Sequence, residues 1–98
     1  MNERMEREPT SPGEILREEF LVPLGLTQKG LADHIGCDVK VINRIVNGRS
    51  AVTASMALRL GSALGTRPEF WLNAQKAVDL YRASAEAVEL PPPLRKAS

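Results

Sequence analysis

Between Thr27 and Gly48 the chain reads TQKGLADHIGCDVKVINRIVNG, and this stretch constrains the fold more than any other. Thr27 can cap the free N–H groups that open a helix, and Leu31, Ala32 and Ile35 follow at helical spacing. A short helix is predicted over 28–35. Gly36 tolerates the left-handed backbone that ends a helix. Asp38 then caps a second helix over 39–47, which Gly48 stops. Two short helices parted by Gly36-Cys37-Asp38 have the dimensions of a helix-turn-helix. That motif needs a small residue where the helices cross, and Ala32 stands there. It also needs a residue free to take positive φ four positions later, and Gly36 supplies it.

At about 100° per residue, Val39, Val41, Ile42, Ile45 and Val46 share one half of the second helix. Lys40, Asn43, Arg44 and Asn47 occupy a separate arc about 100° wide. Arg and Lys can pair with guanine O6 and N7, and Asn can pair bidentately with adenine. The stripe carries no carboxylate, whereas an ordinary solvated helix face mixes both signs. These four residues are the candidates for reading base edges. Phosphate contacts should flank them. Gln28 and Lys29 open the first helix, where backbone N–H groups attract an anion, and Arg49 and Ser50 follow the second.

The rest of the chain reads as helices too. Ser11-Pro12-Gly13-Glu14 announces one, with Ser11 as cap, Glu14 reaching back, and Leu16 and Phe20 on its buried stripe. Pro23 and Gly25 end it, and Leu24 and Leu26 should return the chain to the core. Thr53 opens a helix to about Leu64, with Met56, Leu60 and Leu64 inward. Thr66-x-x-Glu69 reads as a second capping box, opening a helix from about Arg67 to Glu86. No segment alternates with a period of two. The expectation is one all-α domain: a five-helix bundle over 11–86, with a flexible segment 1–10 before it and a flexible tail 87–98, containing Pro91-Pro92-Pro93, after it.

Composition excludes several classes. The 98 residues are 43% hydrophobic and only 4% aromatic, enough for one aliphatic core. No run of about 18 apolar residues exists to span a membrane, and the charged N-terminus is not a signal peptide. A single cysteine forms no internal disulfide and fits a reducing cytoplasm. One cysteine and one histidine do not build a closed metal site, so no metal or other cofactor is expected. Cys37 and His34 are three apart, but no third ligand or base is evident; Cys37 reads as a small thiol packed at the turn. No nucleophile with its base and no phosphate-cradling glycine loop appears, so no catalysis is expected. The net charge of +1 is unevenly spread. Residues 1–26 hold three Arg against six Glu, whereas residues 27–50 hold four basic side chains against two acidic.

At GEILREEFLVPLGLTQKGLADHIG and VINRIVNGRSAVTASMALRLGSALGTRPEFWLNAQ the chain resembles the HigA antitoxin family. That family lies within the Xre, phage-repressor-like group, and the likeness covers about residues 12–81. It implies the lambda-repressor-like fold and a homodimer on a palindromic, double-stranded operator. It also implies repression of the chain's own operon and neutralisation of a HigB-like toxin, a RelE-related mRNA endonuclease. The family's recognition-helix positions correspond to Lys40, Asn43, Arg44 and Asn47, and its opening glutamine to Gln28. Cys37 departs from the small aliphatic residue more usual there. A stand-alone repressor without a toxin is the alternative reading. Two half-sites about 34 Å apart call for a dimer. Phe70, Trp71, Leu72, Val78 and Tyr81 are the expected interface, because one helix cannot bury Phe70, Trp71 and Leu72 together in its own domain. The acidic front (Glu3, Glu6, Glu8, Glu14, Glu18, Glu19) reads as a solvated face or as a surface that steers in a basic partner.

Overall fold

A computed structural model describes residues 7–86 and 89–95 of the chain. Five helical rods follow one another, and no strand occurs among the described residues. The first rod, α1 (12–24), is α-helical over Pro12–Ile15, π-helical over Leu16–Leu21 and α-helical again over Val22–Leu24. Then come α2 (Gln28–Ile35), α3 (Val39–Val46), α4 (Ala54–Leu64) and α5 (Pro68–Ser84). The π-helical turn has a local cause. Pro23 has no N–H to donate, and in an α-helix its ring would strike the Glu19 carbonyl. Widening the preceding turn relieves that clash. As a result Leu16 and Leu21, five apart, are the buried pair, and Phe20 is only half-buried. Leu24 and Leu26 do not return to the core: they are 59% and 39% exposed.

The expected caps form at four helices. Ser11, Thr27, Asp38 and Thr53 accept the backbone N–H groups of Glu14, Gly30, Lys40 and Met56. The capping box at Thr66 does not form. Arg67 is the N-cap of α5 without a side-chain bond, and the Thr66 hydroxyl instead accepts the Trp71 indole N–H at 2.7 Å. Trp71 is fully buried, so its single donor needs an acceptor inside the core, and Thr66 is in reach.

Trp71, Leu16, Ile42, Leu60 and Val78 are the largest fully enclosed side chains among the described residues, and each contributes about 1.5–3 kcal/mol on burial. Helix α5 packs mainly on α4, while α2 packs on α3. The N-terminal turn of α1 lies directly on α3. A Cβ at Gly13 would stand 1.9 Å from the Ile45 carbonyl oxygen and 2.9 Å from the Val46 Cα. Only glycine permits that backbone crossing.

Among the described residues no helix is long and apolar enough to cross a membrane, and no cluster of His, Cys, Asp or Glu could hold a metal. The expectations for residues 1–6, 87, 88 and 96–98, including Glu3 and Glu6 of the acidic front, lie outside the described residues. Residues 7–10 and 89–95 are not helical. Glu8 nevertheless pairs with Arg82 of α5.

Candidate nucleic-acid interface

Helices α2 and α3 meet at the predicted turn. Gly36 adopts φ 79°, and the N–H groups of Gly36 and Cys37 both end on the Ala32 carbonyl, at 2.9 and 3.0 Å. Ala32 is fully buried at the crossing. Ile42, Ile45 and Val46 hold α3 to the core, with Val39 and Val41 half-buried beside them. The opposite face is exposed at Lys40, Asn43, Arg44 and Asn47. Asn47 stands one residue past the helix, as its C-cap.

Three amides on this surface are chained together. Asn43 Nδ2 donates to Gln28 Oε1 at 3.1 Å, and Asn47 Nδ2 donates to Asn43 Oδ1 at 3.2 Å. Gln28, half-buried at the start of α2, thus fixes the Asn43 side chain in the middle of the stripe. Each amide keeps at least one N–H and one lone pair for an outside partner, the pair that adenine requires. Lys40, Arg44 and Arg49 make no ion pair among the described residues. Lys29 differs: its ammonium spans both Asp33 carboxylate oxygens, at 2.9 and 3.0 Å.

The loop after α3 is fastened at both ends. The Arg49 N–H donates to the Arg44 carbonyl at 2.8 Å, and the Val52 N–H donates to Gln75 Oε1 of α5 at 2.9 Å. Arg49 is exposed between these ties and Ser50 is half-buried.

The helix-turn-helix family profile matches residues 16–71. Antitoxin HigA-1 of Vibrio cholerae is 46% identical over 78 residues, which are 80% of this chain and 73% of that protein. The antitoxin HigA of Pseudomonas aeruginosa, solved with the higBA promoter, superposes with a TM-score of 0.77 at 37% identity, covering 80% of this chain and 85% of the other. The antitoxin GraA in complex with its operator gives 0.79 at 38% identity, covering 94% and 100%. This chain belongs to the HigA-type antitoxin family of helix-turn-helix proteins.

In this HigA-family chain the expected interface on α5 needs correction. Trp71 and Val78 are 0% and 1% exposed inside one protomer, so neither has surface to offer a second copy. Leu72 is half-buried against the protomer's own core. Phe70 is 41% exposed and edges against Phe20 and Trp71, and Tyr81 is half-buried. Sequence reasoning also missed exposed Leu80, which falls outside the 3–4 spacing of the buried residues. Gly13 and Gln75 were missed as well, because their partners lie far along the chain. Cys37 is half-buried against the core, and His34 is exposed.

Proposed function

We propose that this HigA-family chain is a cytoplasmic, dimeric operator-binding repressor and antitoxin without catalytic activity of its own. It silences its own operon and neutralises a HigB-like toxin, a RelE-related mRNA endonuclease. Helix α3 enters the major groove, where Lys40, Asn43, Arg44 and Asn47 read base edges. Gln28, Arg49 and Ser50 fix the register on phosphates, with a lesser part for Lys29, whose charge Asp33 already engages.

One observation carries the reading. The carboxylate-free stripe on α3 is exposed, its Asn43 is held by Gln28, and it carries cations that no described side chain neutralises. Relatives of the same fold have been solved on promoter or operator DNA. The second copy docks on the outward face of α5. Phe70, Asn73, Ala74, Ala77, Leu80, Tyr81 and Ser84 share an arc about 120° wide with no charged residue in it. An uncharged, partly apolar face of this kind on a surface helix suits a twofold mate.

Replacing Arg44 with Ala should cost about 1–3 kcal/mol of affinity for the protein's own promoter, and wild-type binding should weaken steeply with salt. Unchanged binding by the variant, or a flat salt response, would overturn the assignment. Co-purification with the product of the adjacent gene tests the antitoxin half; its failure leaves a stand-alone repressor.

A further inference from the structure

We infer that Gln75, on the last helix, is a positioning residue for DNA binding: it holds the loop that presents Arg49 and Ser50 to the phosphate backbone. The inference rests on the proposal that this loop touches phosphate. Gln75 is 23 positions from the bond it makes and lies on the element proposed to carry the dimer face, on its other side.

The Val52 N–H precedes the Thr53 cap, so no helix carbonyl is available to it, and the Val52 side chain is buried. A buried backbone donor needs a partner. Gln75 Oε1 supplies it at 2.9 Å, and Gln75 Nε2 is itself held by Asp79 Oδ1 at 3.0 Å. The pair Gln75–Asp79 therefore acts as a two-link bracket, with the amide oriented so that its oxygen faces the loop. The space behind the loop is open. A cavity of about 160 Å³ lies between Arg49 and Ser50 on one wall and Gln75, Asp79 and Arg82 on another. With the bracket removed, the loop has room to sink away from the DNA side. Its other tie, from the Arg49 N–H to the Arg44 carbonyl, leaves Ser50 and Ala51 free to move.

The geometry links two tasks on one rod. One face of α5 grips the phosphate-binding loop, and the opposite face is offered to the second copy. Each loop is therefore fixed relative to the dimer axis, and two half-sites must be met at a set spacing. A loop held only by its own helix would place its phosphate contacts less reproducibly.

The experiment measures binding of the full chain to its own promoter and to unrelated duplex DNA across a salt series, below the melting temperature of every variant. Gln75→Ala should weaken both DNAs by a similar factor, about five- to tenfold, and lower the salt slope by about one for each phosphate no longer neutralised. A merely structural role would lower the melting temperature without moving the slope of the folded protein. Gln75→Glu keeps the acceptor but sets two carboxylates together; adding Asp79→Asn restores the donor from the other side. The double variant should recover affinity and slope that Gln75→Glu loses. Arg49→Ala separates the two levels. If it leaves affinity and slope unchanged, the phosphate reading of the loop is wrong. If it lowers both while Gln75→Ala does not, the positioning role is overturned.

Discussion

Gly13→Ala probes the crossing on which the recognition helix rests. Glycine in the first turn of a helix is ordinarily a weak choice. Replacement by alanine typically stabilises by about 0.4–1 kcal/mol, through lost freedom in the unfolded chain. Here the added methyl would stand 1.9 Å from the Ile45 carbonyl oxygen, 2.8 Å from the Ile45 carbonyl carbon and 2.9 Å from the Val46 Cα. All three atoms are backbone of α3, so no rotamer change opens space. The two helices must part by roughly 1.5 Å to reach ordinary contact distance, exposing part of the layer formed by Leu16, Ile42 and Ile45. Overpacking commonly costs about 1–3 kcal/mol, and a rigid backbone obstacle puts this site at about 3 kcal/mol. That is a large fraction of the roughly 5 kcal/mol typical of a small domain. Urea denaturation followed by Trp71 fluorescence reads the effect. Gly30→Ala is the internal control. Its methyl meets only the Thr27 hydroxyl oxygen, at 3.1 Å, so stability should change by less than about 1 kcal/mol. A Gly13→Ala protein as stable as wild type would refute the close crossing.

Two further outcomes follow from particular contacts. Thr66→Val strips the acceptor from a fully buried indole and should destabilise by about 1–3 kcal/mol, measured by thermal unfolding, with the Trp71 emission shifted. Ala77→Glu sets a charge in the middle of the uncharged face of α5. It should shift the protein from dimer to monomer in sedimentation and weaken operator binding, while the melting temperature of the monomer stays close to that expected for a surface change.

The legible parts of the structure are those whose causes are local. Thr27, Asp38 and Thr53 cap because each sits directly before a helical pattern, and the N–H groups they satisfy are two or three residues away. The polar stripe of α3 follows from periodicity, since a helix of fixed pitch leaves no freedom over which residues share a face. Local patterns mislead where the pitch changes or where a helix opens one residue away from its apparent cap. A period of 3.6 pairs Leu16 with Phe20, but the wider turn before Pro23 pairs Leu16 with Leu21. Thr66 reads as a capping residue, yet α5 opens one residue later with Arg67 as its N-cap, and the Thr66 hydroxyl accepts the buried Trp71 indole N–H, which needs a partner inside the core. Gly13 looks like an ordinary first-turn residue, and only the fold reveals the carbonyl beside it. Phe70, Trp71 and Leu72 suggest an excess of apolar surface. The core absorbs Trp71 fully and Leu72 in part, leaving Phe70 to Phe20 and the outside.

Charge looks different once the contacts are known. A net +1 over the chain gives little reason to expect a polyanion as partner. Arg17, Lys29, Arg67 and Arg82 each lie against a carboxylate, so these four of the 13 basic side chains are offset within the protein. Lys40, Arg44 and Arg49 are not neutralised in this way among the described residues, and they stand on or just past one eight-residue helix. Asp38, the carboxylate nearest them in sequence, is engaged as the cap of that helix through the Lys40 N–H at 2.8 Å. At physiological salt a phosphate experiences charges within about 8 Å, not the sum over the molecule. The local arrangement therefore sets the affinity. Removing a distant carboxylate such as Glu69 should change binding far less than removing any one of these three cations.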